Sequence, residues 1–160
     1  MPTYSIEGFS PTDINLINST LQDKRGWVSK GHTFHQISSY TSVPVDITIE
    51  LQDNNQIVNE YPQFDNMSYA NIRSTPATIV INKQLWDSVP DEYPPDTSLT
   101  SYRQFLISHE MGHHITNSTS HEFPYPNSDH KWCPVMHQQY KGGCVGPNPW
   151  ITLDHLPAPL

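Results

Sequence analysis

The sequence predicts a single α+β domain over residues 1–160, and three observations lead to that class. Apolar residues alternate with polar ones through Val45–Leu51 and form an uninterrupted run in Thr78–Asn82, which is typical of strands. Two other segments, Thr12–Asp23 and Ser98–Ile115, carry apolar residues at helical spacing. The 15 prolines argue against an all-helical fold because they require long stretches of loop.

The predicted elements follow one another as a helix, two strands, a second helix and an irregular C-terminal part. Thr12 or Asp13 is expected to cap the first helix, and Arg25-Gly26-Trp27 is expected to end it. Val89–Asp96 contains three prolines, which indicates a surface loop. From Thr116 onward the chain is rich in loop-forming residues, so little regular structure is expected there.

The composition excludes some functions. A formal net charge of -8 provides no basic stripe, so no nucleic-acid partner is expected. No stretch approaches the roughly 20 apolar residues that span a bilayer, and no membrane partner is expected. The chain opens without a basic flank before an apolar run, so no signal peptide is visible. The protein is therefore expected to be intracellular, or secreted if this sequence is a trimmed mature form.

The two cysteines, Cys133 and Cys144, lie 11 residues apart in a segment rich in proline and glycine. A disulfide that closes this loop would suit an oxidising compartment, whereas a reducing compartment would keep both as thiols. Spacing alone does not decide between these alternatives, because a disulfide also needs a particular geometry.

The residues best suited to bind a metal and to transfer protons lie in the motif His109-Glu110-Met111-Gly112-His113. Two histidines four residues apart on a helix project from the same face, so both imidazoles can reach one cation. Imidazole nitrogen suits zinc. Glu110 is displaced around the helix from the two histidines, so its carboxylate can take a proton from a zinc-bound water without ligating the metal.

This motif also recurs by chance, and the alternative is an ordinary helix with a buried histidine and a solvated Glu-His pair. Two observations favour the metal site. The motif ends the clearest helix in the chain, where His109 and His113 share a stripe with Tyr102 and Leu106. Seven of the nine histidines fall between His109 and His155, where a third ligand would be sought.

Several segments together resemble a family of zincin-like metallopeptidases of unknown function. The first is Ser101–His113, which contains the helix motif, and two more are Cys133–Gln139 and Gly143–Trp150. The resemblance extends upstream through Thr20-Leu21, Arg25-Gly26-Trp27, Ile79–Asn82 and Trp86. It implies a zincin-like or metzincin-like fold with a small mixed sheet, an N-terminal helix, an active-site helix and a turn whose methionine lies beneath the zinc. Met136 matches that methionine, and ordinary core packing is the alternative role for it.

The chain departs from the extended family pattern after the helix. Thr116 stands where the family has a glycine, and Thr119 stands where it has the third histidine. The glycine allows the chain to leave the helix at positive φ, and Asn117 is the next best residue for that conformation. His121 follows in the loop and is the predicted third ligand. His130 is the main alternative, and the remaining candidates are His114, Glu122 and Asp129.

The sequence thus predicts a zinc-dependent endopeptidase in which His109, His113 and His121 hold Zn²⁺. Glu110 is the predicted catalytic base, which activates the zinc-bound water. We expect a peptide or protein substrate, which pairs in extended form with an edge strand within Arg73–Ile81, and a monomeric protein.

A catalytically weak or inactive zinc-binding or protein-interaction module is the alternative. The departures at Thr116 and Thr119 support it. The intact Glu110 opposes it, because a purely structural zinc site has no use for that carboxylate. Tyr140 is a further candidate, either as an oxyanion stabiliser or as an ordinary packed or surface tyrosine.

Overall fold

The computed structural model describes residues 1–38 and 42–159. Its strands are β1 (Thr3–Glu7), β2 (His35–Gln36), β3 (Ile47–Gln52), β4 (Tyr69–Asn71) and β5 (Ala77–Asn82). Its α-helices are α1 (Pro11–Gln22), α2 (Asn54–Glu60), α3 (Lys83–Asp87) and α4 (Leu99–Thr116). Short 3₁₀ turns occupy Trp27–Lys30, Pro62–Phe64, Gln139–Lys141 and Ile151–Leu153. These elements confirm the predicted α+β class, although β1, β2, β4, α2 and α3 are additional to the predicted elements.

The five strands form one mixed sheet in the order β2-β1-β3-β5-β4. All neighbouring pairs are parallel except β4 and β5, which are antiparallel. Ile49 on β3 pairs with Ile79 on β5, and both side chains are fully buried. The expectation that an edge strand lies within Arg73–Ile81 is wrong, because β5 has neighbours on both sides and the shorter β4 takes the edge.

The first helix begins earlier than predicted. Ser10 is its N-cap, and the Ser10 side chain accepts a hydrogen bond from the backbone N–H of Asp13 at 3.1 Å. Thr12 and Asp13 therefore lie within the first turn and do not cap it. Pro11 explains the shift, since proline has no N–H to lose at the first helical position and favours the residue before it as the cap.

The motif helix α4 matches its predicted span closely. Ser98 caps its N-terminus by accepting the N–H of Ser101 at 3.0 Å. Its apolar stripe packs beneath the sheet, and Ile107 and Met111 are almost completely buried. The indole of Trp27 donates a buried hydrogen bond of 2.8 Å to the carbonyl of Ser108. This bond ties the segment after α1 to the centre of α4.

A second link joins α1 to the N-terminal half of α4. Arg103 pairs with Asp13 at 3.3 Å and donates a hydrogen bond to the backbone carbonyl of Trp86 at 2.7 Å. The Trp86 indole in turn donates to Asp13 at 3.0 Å. Because these three residues come from α1, α3 and α4, their contacts hold the three helices together.

The proline-rich segment 89–96 is irregular, as predicted, but it is not wholly superficial. Tyr93 is only 8% exposed, and its ring lies 5.3 Å from that of Tyr102 on α4. The segment therefore contributes to the interior beside the motif helix. Within the described part of the chain, no helix is both long enough and apolar enough to cross a membrane.

Candidate metal centre

Helix α4 brings His109 and His113 together at its C-terminal end. Both side chains are only 6% exposed, and their ring centroids lie 5.0 Å apart. The spacing of four residues places them one turn apart on the face that points away from solvent.

His121 approaches the same point from the loop that follows the helix. Asn117 ends α4 in the left-handed conformation with φ 50° and ψ 43°, as the sequence suggested for this residue. The N–H of Ser118 then bonds to the carbonyl of His113 at 3.1 Å, which turns the chain back towards the helix. The His121 ring lies 5.2 Å from that of His109 and 5.1 Å from that of His113.

The three imidazoles form a cluster that could hold a metal ion, since one nitrogen from each lies within 4.8 Å of the others. The competing candidates lie outside it. His130, Asp129 and Glu122 are exposed, and the imidazole of His114 hydrogen-bonds instead to the carbonyl of Thr78 at 3.2 Å. The structure therefore brings together the three histidines that the sequence selected.

Two of the imidazoles are oriented by backbone carbonyls. Nδ1 of His109 donates to the carbonyl of Val135 at 2.6 Å, and Nδ1 of His113 donates to the carbonyl of Ser118 at 2.8 Å. A proton on Nδ1 leaves Nε2 with a free lone pair, which is the form that ligates metals. Burial lowers the pKa of His109 to about 3 and that of His121 to about 4, and it also lowers the pKa of His113. Three neutral imidazoles are a donor set that fits a divalent transition metal.

Glu110 lies beside this cluster and is only 6% exposed. Burial raises the pKa of its carboxyl to about 8, because the ionised form loses its hydration. Glu110 and the three histidines all line one cleft of about 530 Å³. A group placed this way can exchange protons with a molecule bound in the cleft.

Met136 lies beneath the motif helix, against Gly112. A Cβ atom at Gly112 would fall 2.2 Å from Sδ of Met136 and 2.7 Å from Cζ2 of Trp27. Glycine at this position therefore lets the methionine and the tryptophan approach the helix backbone directly. Met136 is 3% exposed, so its packing role is evident from the structure.

The segment that carries Met136 is joined to the rest of the C-terminal part by a disulfide between Cys133 and Cys144. The disulfide alternative is thus the one that the structure contains. The N–H of Cys133 also bonds to the carbonyl of Val145 at 2.9 Å. These contacts hold the segment at Cys133 and the segment at Cys144 and Val145 side by side.

Sequence reasoning missed the groups that support the histidines. The carbonyls of Val135 and Ser118 carry no residue-specific signal, because any residue type has a backbone carbonyl. Asp154 was also missed. Its Oδ1 accepts the N–H of Val135 at 2.9 Å, although the two residues lie 19 positions apart.

Tyr140 lines the cleft but is 52% exposed, and its hydroxyl donates to Gln138 at 2.8 Å, as a surface tyrosine would.

Asp154 gives a testable dependence of stability on pH. Burial raises the pKa of its carboxyl from 3.8 to about 7. The folded protein therefore binds this proton more tightly than the unfolded chain, and the stability that Asp154 contributes at low pH is lost as the pH rises through that interval. In Asp154→Asn the side chain does not ionise. As the pH rises from 3.8 to about 7, we therefore expect the free energy of unfolding of metal-free Asp154→Asn to increase relative to that of the wild type.

Urea denaturation at a series of pH values measures this difference. Asp91→Asn is the control, because Asp91 is exposed in the proline-rich segment. A difference between Asp154→Asn and the wild type that stays constant over the whole pH range would show that burial does not perturb this carboxyl.

The fold and the cluster together define an α+β protein with three histidines placed to hold a metal ion. The chain belongs to the family described as "Protein of unknown function (DUF3152)", whose model matches residues 7–145. No curated protein matches the chain. Among solved structures, that of myroilysin matches with a TM-score of 0.46 and 15% identity, over 82% of this chain and 53% of the myroilysin chain. The present chain thus spans about half the length of that protein, and a likeness at this level carries no functional argument.

Proposed function

We propose that this protein is a zinc-dependent endopeptidase, with His109, His113 and His121 as ligands and Glu110 as general base. The observation that carries the proposal is the convergence of three imidazoles and a carboxyl group on one cleft. Structural zinc sites usually have four protein ligands, whereas catalytic sites have three and leave one position open. Among the described residues the cluster has three members, and all of them line the cleft.

The chemistry follows from these positions. Zinc supplies a Lewis acid and lowers the pKa of a water molecule towards neutrality. The bound cation would also favour the ionised carboxylate of Glu110, which would then accept a proton from the attacking water. Glu110 would return that proton to the leaving amine, so that no net proton is consumed at the carboxylate. His109 and His113 keep their orientation through the carbonyls of Val135 and Ser118.

We extend the proposal to a metzincin-like arrangement in which Met136 is the methionine beneath the metal. Its support is the burial of Met136 and its contact with the backbone of the motif helix at Gly112. In this arrangement Met136 packs under the ligands and does not react.

The cleft also indicates how a peptide would bind. The edge strand β4 contributes Tyr69 and Ala70 to one wall, and an edge strand can pair with an extended peptide through its backbone. The cleft lining also includes a row of rings, in which Phe105 lies 5.2 Å from His109 and 6.3 Å from Tyr102. Tyr93 continues the row next to Tyr102. We therefore propose a substrate with a large apolar side chain beside the bond that is cleaved.

A pair of fluorogenic peptides tests this function. The two peptides share one sequence except for phenylalanine or aspartate at the positions that flank the cleaved bond. The zinc-loaded protein should cleave the phenylalanine peptide with a kcat/KM about 10- to 100-fold higher, given the free energy of burying an aromatic side chain. A chelator should abolish cleavage, and added zinc should restore it.

The outcomes separate the two candidate functions. Zinc binding without cleavage of any peptide in a broad library would favour the zinc-binding or interaction module. Cleavage that persists in the presence of the chelator would rule out a metal-dependent mechanism.

A further inference from the structure

A network of buried polar side chains lies beneath the His109 side of the cluster. Asn148 is fully buried, Gln139 is 5% exposed, and Asp154 is half-buried. The N–H of Asn148 donates to Oε1 of Gln139 at 2.7 Å, and its side-chain amide donates to Oδ1 of Asp154 at 3.1 Å. These three side chains come from different parts of the C-terminal segment and form one connected unit.

This network bonds to three consecutive residues of the main chain. The amide of Asn148 donates to the carbonyl of Cys133 at 2.6 Å, and the amide of Gln139 donates to the carbonyl of Pro134 at 3.1 Å. Oδ1 of Asp154 accepts the N–H of Val135 at 2.9 Å. The segment belongs to no helix or regular strand, so these side chains provide the hydrogen bonds that secondary structure would otherwise supply.

The Val135 carbonyl, at the end of this segment, accepts the hydrogen bond from Nδ1 of His109 at 2.6 Å. This support is remote in sequence, since 26 residues separate the two partners. His113 differs, because its carbonyl partner Ser118 lies in the turn that directly follows the helix. Among these two histidines, only His109 therefore depends on a distant segment for its orientation.

We propose that Asp154 and Asn148 are positioning residues for the metal centre, which act by holding the Val135 carbonyl against Nδ1 of His109. The inference rests on the proposed role of His109 as a ligand. The carbonyl fixes the tautomer that leaves Nε2 free, and it fixes the direction of the ring. Loss of such an outer partner typically weakens metal affinity by about 10- to 100-fold.

The test compares two substitutions at Asp154. Asp154→Asn keeps an oxygen that can accept the Val135 N–H, whereas Asp154→Leu has a similar size and no acceptor. The zinc dissociation constant of each full-length variant is measured by competition with a chromophoric chelator. We expect Asp154→Leu to bind zinc about 10- to 100-fold more weakly than the wild type, and Asp154→Asn to bind like the wild type. Asp91→Leu, at an exposed aspartate, is the control.

A second measurement needs neither metal nor activity. The ¹⁵N chemical shifts of the His109 ring in the metal-free protein report which nitrogen carries the proton. We expect a single Nδ1–H tautomer in the wild type and in Asp154→Asn, and a mixture of tautomers in Asp154→Leu. If Asp154→Leu does not fold, Asp154→Ala takes its place, because the smaller side chain also removes the acceptor without crowding Asn148.

Wild-type zinc affinity together with an unchanged tautomer in the variant without an acceptor would overturn the proposal. Equal losses of zinc affinity in Asp154→Asn and Asp154→Leu would also overturn the proposal, because the acceptor oxygen would then not be what supports zinc binding. If the wild type binds no zinc, the proposed function fails, and the tautomer measurement still decides whether Asp154 positions His109.

Discussion

Replacing Glu110 by glutamine is expected to lower kcat by about 10²–10⁴-fold while zinc remains bound, because this is the usual contribution of a general acid–base group. Glutamine has nearly the shape of glutamate, so the buried site keeps its packing, but the amide does not accept a proton from water. The three histidines are unchanged in this variant. Steady-state kinetics on a cleaved peptide and zinc analysis of the same sample measure the two quantities.

Glu60→Gln is the matched control, since it makes the same chemical change at an exposed residue at the end of α2. It should retain both zinc and activity. If Glu110→Gln cleaved peptides at the wild-type rate, another group would have to be the base. A loss of zinc together with activity would show that Glu110 supports the metal site and would leave its catalytic role undemonstrated.

Replacing Gly112 by alanine is expected to destabilise the protein by about 1–3 kcal/mol, the usual range for overpacking a core. The new Cβ would fall 2.2 Å from Sδ of Met136 and 2.7 Å from Cζ2 of Trp27. Met136 can rotate away, but Trp27 is held by its hydrogen bond to the Ser108 carbonyl at 2.8 Å. Alanine has a higher helix propensity than glycine by about 1 kcal/mol, and this gain offsets only part of the free-energy cost of the steric overlap.

Urea denaturation of the metal-free protein measures this effect. Thr100→Ala is the control on the same helix, because Thr100 is exposed and alanine should be neutral or slightly stabilising there. A Gly112→Ala variant as stable as the wild type would show that Met136 and Trp27 do not constrain the helix backbone as closely as the structure indicates.

The sequence predicted the elements that have strong periodic patterns. Helix α4 and strand β3 were identified from the regular recurrence of their apolar residues, and β5 was identified from its uninterrupted apolar run. Strands β1 and β4 were missed for different reasons. Polar and apolar residues alternate in β1, but the pattern covers only five residues, and the polar Ser5 is buried with Tyr4 and Ile6 between two parallel neighbours. Strand β4 has only three residues and is defined by its pairing with β5.

In the candidate site, too, the sequence predicts some parts, the histidines, and does not predict others, the groups that support them. His109 and His113 were predictable because helical spacing alone places them on one face. His121 was predictable because Asn117 tolerates the left-handed conformation that turns the chain back, and the structure places Asn117 in that conformation. The hydrogen bonds from Val135, Asn148 and Asp154 depend on how irregular segments fold against each other. Nothing in the spacing of these three residues reveals those contacts.

The most direct test of the proposed metal centre is the zinc content of the purified protein, measured by elemental analysis on the wild type, His121→Ala and His130→Ala. His130 is the matched control, because it is an exposed histidine of the same C-terminal part that lies outside the cluster. We predict about one zinc ion per chain in the wild type and in His130→Ala, and a large loss in His121→Ala, since a catalytic site needs three protein ligands. Full zinc content in His121→Ala, or none in the wild type after incubation with zinc, would contradict the account.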